Sequence, residues 1–254
     1  VTPDDRSLLD ALAAEHPRSL LFTTVSGAHL YGFPSADSDF DLRGVHLARP
    51  DELLGLRGVK ETITHEGVRE GREIDLVTHE ARKFFRLMLN RNGYVLEQLH
   101  SPLIVRTSSE HEELVALGRR CVTRGHVHHY LGFARNQWGL FSKEDPPRAK
   151  PLLYVYRVLL TGIHLMRTGE VNANLTDLNA IYRLPFIDEL IQAKATGSEA
   201  VRLSDADLAF HRGEYERLIR ELEEAGEQSS LPEAPSARPG LESLLLRLRL
   251  KSVA

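Results

Sequence analysis

The chain has 254 residues, of which 42% are hydrophobic and 27% charged, and its 32 basic and 36 acidic side chains leave a net charge of -4. That length fits one or two domains, and the composition excludes a disordered, collagenous or fibrous protein. A chain this long buries a core without disulfides or structural metal, and the single cysteine, Cys121, forbids an internal disulfide and fits a reducing cytoplasm. No segment reaches the roughly 20 apolar residues of a membrane span, since Leu152 to Met166 is broken by Arg157 and His164. The amino terminus shows no cationic-then-apolar signal, so a cytoplasmic protein without membrane contact is expected.

In chain order, residues 7–15 have helical composition. Leu20 to Val25 is an apolar, β-prone run bounded by Pro17 and Gly27 and reads as a buried strand. After a Gly- and Ser-rich stretch, Phe40 to Leu47 alternates apolar and polar residues except at Gly44 and reads as a second strand. Lys60 to Thr64 and Glu73 to Thr78 supply two more around the turn-prone pair Glu66-Gly67. From His79 the period becomes helical, with helices expected at 79–89, 92–99, 109–121, 124–141, 149–168, 185–195 and 204–225, the last opened by Ser204 and Asp207. Gly226 to Gly240, with three prolines, reads as a mobile linker. Leu241, Leu244, Leu245 and Leu248 then mark a short amphipathic helix docking on the body or on a partner. The fold class is α+β: a mixed sheet flanked by helices, then a helical bundle. Its parts are expected at 1–106, 107–225 and 226–254.

Charge is uneven. Between Arg119 and Arg167 nine Lys or Arg face two acids, a segment of +7 that leaves -11 to the rest. Such separation suggests a polyanion on the helical middle, with a solvated basic surface as the plain alternative. On the helix 149–168, Leu152, Val155, Tyr156, Leu159, Ile163 and Met166 form a core stripe, while Lys150, Tyr154, Arg157, Thr161 and His164 share another face, either for phosphates or for solvent. His126, His128 and His129 near Cys121 favour a surface histidine cluster over zinc, because His128 leaves the face shared by the other two.

The chemistry concentrates in Val25-Ser26-Gly27-Ala28-His29-Leu30-Tyr31-Gly32 and the following Ser38-Asp39-Phe40-Asp41-Leu42-Arg43-Gly44. On a strand, Asp39 and Asp41 share one face while Phe40 and Leu42 point into the core. Two such carboxylates suit a pair of hard divalent cations, Mg²⁺ or Mn²⁺. Gly27, lacking a Cβ, lets backbone N–H groups approach a phosphate.

The hydrophobic-Gly corner followed by Asp-x-Asp on a strand resembles the polymerase-β-like nucleotidyltransferase superfamily. Gly27 to Gly32 with Ser38-Asp39-Phe40-Asp41-Leu42-Arg43-Gly44 resembles, more narrowly, the stand-alone bacterial and phage nucleotidyltransferases, some associated with RNA ligases in RNA repair. The stretch from Arg82 to Pro102 is similar to that subfamily's helical continuation. The chain departs from the superfamily at Ala28, where Ser or Gly is usual, with Ser26 or His29 as substitutes. The resemblance implies a third carboxylate on a neighbouring strand, with Asp75 favoured over Glu73. Asp39, Asp41 and Asp75 are then the catalytic and metal-holding residues. Ser26, Gly27, Ala28, His29, Ser38, Arg43, Lys150 and Arg157 are the nucleotide-binding candidates, Arg43 either on phosphate or paired with an acid. The implied reaction moves an NMP from an NTP such as ATP to an acceptor hydroxyl with Mg²⁺ or Mn²⁺. RNA is the leading acceptor and an RNA ligase a partner. A small molecule or a protein side chain is also open as acceptor. The competing readings are a non-catalytic nucleotide- or RNA-binding module, favoured by Ala28, and a metal-independent helical ribonuclease using Arg124 with His129 or Arg157 with His164.

Overall fold

A mixed sheet in the order β3-β4-β2-β1-β5 organises the front of the chain. Its strands are β1 (Leu20–Val25), β2 (Phe40–His46), β3 (Thr62–Arg69), β4 (Arg72–Glu80) and β5 (Ile104–Arg106), in a computed structural model that describes residues 1–56, 58–145, 147–195 and 204–251. Between and after them lie α1 (Pro3–Ala14), α2 (Gly27–Tyr31), α3 (Pro50–Leu54), α4 (Ala81–Leu89), α5 (Gly93–Leu99), α6 (Ser109–Arg119), α7 (His126–Phe141), α8 (Ala149–Thr168), α9 (Leu175–Tyr182), α10 (Pro185–Ala195), α11 (Asp205–Gln228) and α12 (Arg238–Lys251). The chain divides into two compact units. The first comprises residues 1–29, 39–121 and 235–254, and the second 30–38 and 122–234, against the continuous parts expected from the sequence.

In the first unit β2 runs parallel to β4 and antiparallel to β1, which also pairs with β5. Alternation along β2 sends Phe40 and Leu42 to one face, where they pack with Val25, Ile74 and Leu76 against Leu9 and Leu12 of α1. Burying such side chains contributes about 1.5–3 kcal/mol each. Helix α1 starts earlier than its composition suggests. Pro3 occupies its first turn, and Thr2 and Asp5 form a capping box, with Asp5 N–H donating to Thr2 Oγ1 at 3.2 Å.

The β3–β4 turn falls at Glu70-Gly71, with φ of 51° and 74°, and not at the expected Glu66-Gly67, which lies inside β3 opposite Asp75 and Ile74. A two-residue hairpin loop of the tightest kind needs left-handed backbone at both central positions, and glycine at the second supplies one of them without strain. Strand β5 and the short helices α2, α3 and α9 are additions to the expected elements. Helix α12 buries Leu241, Leu244 and Leu248 and touches α4 and α6. Its Arg249 forms an ion pair with the buried Glu80, whose other oxygen accepts from Arg82 N–H at 2.8 Å and caps α4.

In the second unit α8 is enclosed by α7, α9, α10 and α11. From Leu152 to Met166 every side chain except Tyr154 is buried, the mark of an interior helix. Of the polar stripe expected to meet phosphate or solvent, Arg157, Thr161 and His164 are interior, whereas Lys150 is exposed and Tyr154 half-buried. Arg157 and Thr161 have no exposed surface, and the Arg157 guanidinium lies 4.0 Å from the centre of the Tyr31 ring. The segment expected as a mobile linker is anchored. Helix α11 runs to Gln228, Ser229 Oγ donates to Met166 O at 2.7 Å, and Arg124 N–H donates to Pro232 O at 3.1 Å. The basic segment is partly neutralised within this unit, since Arg124 pairs with Glu233, Arg135 with Glu223 and Arg167 with Glu221, and Arg148 pairs with Glu144 of the segment itself.

Candidate active site

The parallel register of β2 and β4 sets Asp41 directly opposite Asp75, and Arg43 opposite Val77 one step on. Neighbours in register share a face, so both carboxylates stand on the side of the sheet away from α1. Between them lies Arg43. Its Nη2 donates to Asp41 Oδ1 at 2.7 Å and to Asp75 Oδ2 at 2.8 Å. Its Nη1 donates to the backbone oxygens of Leu42 (2.9 Å) and Asp75 (2.8 Å), and its Nε donates to Tyr94 Oη at 3.3 Å. A guanidinium has five N–H donors. All five are accounted for, so of the two roles open to Arg43 from the sequence, phosphate or an acid partner, the acid partner is the one seen.

The end of β1 closes the other side. Ser26 N–H donates to Asp41 O at 2.7 Å, and the chain then turns at Gly27 with φ of +60°. A Cβ on Gly27 would sit 1.8 Å from Asp41 Oδ2 and 2.7 Å from its Cγ. Glycine is therefore required twice, for backbone conformation and for the room that the carboxylate occupies. Burial raises the Asp41 pKa above the ordinary carboxylate value; Arg43 works against this, and the neighbouring charges of Asp75 and Asp39 add to it. Burial alone would lower the Arg43 pKa, but Tyr94 and the two carboxylates more than offset it, so the group is a permanent cation.

The remaining expected residues are distributed differently. Asp39 is exposed and immediately precedes β2, within electrostatic reach of Asp41. Among the described residues no three His, Cys, Asp or Glu side chains are grouped to hold a metal ion by themselves. Ser26 is buried and its hydroxyl has no hydrogen-bond partner, Ala28 is buried beside it, and the His29 ring stacks on Phe40 with centroids 4.5 Å apart. Ser38, Lys150 and Arg157 belong to the second unit. There Ser35 N–H donates to Ser38 Oγ at 2.9 Å, Lys150 is exposed on the first turn of α8, and Arg157 is interior. The histidines of α7 are split between a buried His126, which accepts from Thr123 N–H at 3.2 Å, and an exposed His128.

Residues not expected from the sequence share the carboxylate face. Tyr94, delivered by α5, meets Arg43, and α5 is capped by Asn92, whose Oδ1 accepts from Tyr94 N–H at 3.0 Å. Along β4, His79 follows Asp75 at even spacing, and its Nδ1 is bonded to Thr62 Oγ1 at 3.1 Å, which also accepts from Lys83 Nζ at 2.5 Å. Burial pushes the His79 pKa down to about 4, with help from Lys83 and Arg43, so at neutral pH this face carries an uncharged imidazole. The alternation of β4 was the available signal for His79; nothing in the sequence pointed to Tyr94. A cavity of about 910 Å³ opens at the far end of β1 instead, by His16, Arg18, Arg49 and Arg106. Its arginines are matched by Glu52, Asp51 and Asp10 respectively, so it presents no net positive charge.

Two aspartates pair across parallel strands beside a glycine corner that ends the preceding strand, and by family the chain is a polymerase-β-like nucleotidyltransferase. The chain belongs to the RNA repair pathway DNA polymerase beta family, whose model matches residues 2–247. It is 26% identical over 234 residues to the uncharacterised protein MJ0002 of Methanocaldococcus jannaschii, covering 91% of this chain and 94% of that one. It is also 26% identical over 154 residues to the uncharacterised protein YcgL of Bacillus subtilis, covering 60% and 58% respectively. Among solved structures it is similar to a nucleotidyltransferase-like protein from Exiguobacterium sibiricum, with 14% identity, 98% of this chain and 77% of that chain covered, and a TM-score of 0.34. No helix among the described residues is long and apolar enough to cross a membrane.

Proposed function

We propose that the protein transfers a nucleoside monophosphate from an NTP to an acceptor hydroxyl in a divalent-metal-dependent reaction, with an RNA end as the acceptor. The observation that carries this reading is the Asp41–Asp75 pair set beside the Gly27 corner. The donor set fits Mg²⁺ or Mn²⁺. Asp75 Oδ1 is buried without a hydrogen-bond partner, and Asp41 Oδ2 is turned toward Gly27, so each carboxylate keeps one hard oxygen that Arg43 does not bind. Mg²⁺ is commonly held by one or two carboxylates together with substrate phosphates, which suits a site with two such oxygens.

Asp41 and Asp75 are the residues that would hold the ions, with Asp39 supplying a further carboxylate at the entry to β2. When bound, divalent ions at such a site make an acceptor hydroxyl more acidic and stabilise the departing pyrophosphate. The chain's own contributions are separate. In this reading backbone N–H groups of the Gly27 corner contact the phosphate, while the space a Cβ would take belongs to the Asp41 carboxylate. Asp75, beside the ion, is the candidate to take the proton of the attacking hydroxyl. Ala28 offers no side-chain hydroxyl where the superfamily resemblance leads one to expect Ser or Gly, which leaves contact with the triphosphate there to backbone donors and to Ser26.

RNA as acceptor is supported by the family's description and not by a basic face, because the arginines of residues 119–167 are largely paired. An RNA ligase acting on the same ends fits that family context. The decisive assay incubates the full chain with pooled RNA and each α-labelled NTP, with Mg²⁺, Mn²⁺ or chelator. Label should enter RNA only with metal, and Asp41→Asn or Asp75→Asn should abolish it. RNA cleavage in the presence of chelator would assign a ribonuclease instead.

A further inference from the structure

We propose that Arg43 is a positioning residue that serves as a built-in counter-ion for the carboxylate pair, so that the site binds a divalent cation weakly alone and tightly only as its triphosphate complex. This rests on the metal-dependent reading above and specifies how that site is loaded.

Three observations converge. The guanidinium is fixed in the sheet, with Nη1 on the backbone oxygens of Leu42 and Asp75 and Nε on Tyr94. Its Nη2 takes one oxygen from each carboxylate, at 2.7 and 2.8 Å, so the pair presents one net negative charge instead of two. Only 12% of its side chain is exposed, so solvent screens that charge poorly. The oxygens that remain, Asp41 Oδ2 and Asp75 Oδ1, are too few to surround an ion by themselves, and the exposed Asp39 is not grouped with them as a three-ligand cluster. A fixed cation beside a half-neutralised, two-oxygen site opposes a bare divalent ion. A triphosphate reverses both deficits, since it brings oxygens to complete the coordination and negative charge to balance Arg43. Arg43 also holds the two side chains in register, which is why it touches both.

The test measures Mn²⁺ binding to the full chain by calorimetry or water-proton relaxation, alone and as the complex with inorganic tripolyphosphate, a probe independent of base preference. Wild type should bind the complex more tightly than Mn²⁺ alone. Arg43→Gln should bind Mn²⁺ alone at least tenfold more tightly, about 1.4 kcal/mol, and lose most of the advantage of the complex. Arg43→Lys, which keeps the charge, should stay within about threefold of wild type for Mn²⁺ alone. In thermal unfolding, Arg43→Gln should melt below wild type in chelator and gain more from added Mn²⁺. Unchanged or weaker Mn²⁺ binding by Arg43→Gln, or an equal gain in Arg43→Lys, overturns the counter-ion role. If Asp41→Asn leaves Mn²⁺ binding intact in both backgrounds, the ion is not at this site and the metal-dependent reading itself fails.

Discussion

Replacing Gly27 by alanine probes the corner on which the site depends. The residue sits at φ +60°, where a side chain costs about 1–2 kcal/mol. The new Cβ would lie 1.8 Å from Asp41 Oδ2, a separation no relaxation of the Cβ alone can absorb. The Asp41 carboxylate must swing away and give up its 2.7 Å bond to Arg43, a charge-assisted bond in a largely enclosed setting that contributes about 1.5–3 kcal/mol. Gly27→Ala should therefore cost about 3–4 kcal/mol in urea unfolding. The same change in an Asp41→Ala background should cost only the backbone strain, because Oδ2 and Cγ are gone and the next contact, to the Asp41 Cβ, is 3.1 Å. The double-mutant cycle should thus return a coupling of about 2 kcal/mol, and an equal cost in both backgrounds, within about 0.5 kcal/mol, would refute the packing of Gly27 on Asp41.

Other expectations follow from the same contacts. Arg249→Ala leaves Glu80, 2% exposed, without its cation and should lower stability by about 3 kcal/mol, whereas Arg247→Ala breaks an exposed pair with Glu113 and should cost less than about 1 kcal/mol; equal losses would contradict the burial of the Glu80 pair. Burial, with the nearby His16, lowers the His46 pKa to about 4 from 6.5. The unfolded chain then binds more protons than the folded one between those values, so stability should be complete above about pH 6.5 and fall toward pH 4, by up to about 1 kcal/mol per pH unit for this group. His46→Gln should flatten that slope in denaturant titrations across the range, and an unchanged slope would show that His46 is not its source. His79 and His100, both also lowered to about 4 chiefly by burial, should contribute in the same direction.

Much of the site could be read along the chain because local periodicity carries it. The alternation Phe40-Asp41-Leu42-Arg43 assigns faces without reference to anything distant, and the register with Ile74-Asp75-Leu76 repeats the same alternation on the neighbouring strand. What escaped reading depended on partners remote in sequence. The +7 segment looked like a polyanion surface, but three acids that offset part of it, Glu221, Glu223 and Glu233, arrive from α11 and the segment after it. Arg157 looked like a phosphate ligand because its aromatic seat, Tyr31, lies more than a hundred residues earlier. Residues 229–237 looked mobile because proline and serine dominate there, yet side-chain and backbone hydrogen bonds to Met166, Arg120 and Arg124 hold them. The hairpin turn was misplaced because Glu66-Gly67 and Glu70-Gly71 are the same dipeptide, and only strand pairing separates them. The role of Arg43 is the sharpest case. Its position beside the acids is local, but its full set of acceptors comes from β2, β4 and α5 together.

The most direct measurement compares α- and γ-labelled NTPs on one acceptor preparation, with wild type and Asp41→Asn side by side. Wild type should leave the α label on the acceptor and release the γ label as pyrophosphate, and Asp41→Asn should do neither. Covalent transfer of the γ label, or α-label transfer undiminished in Asp41→Asn, would contradict the proposed transfer.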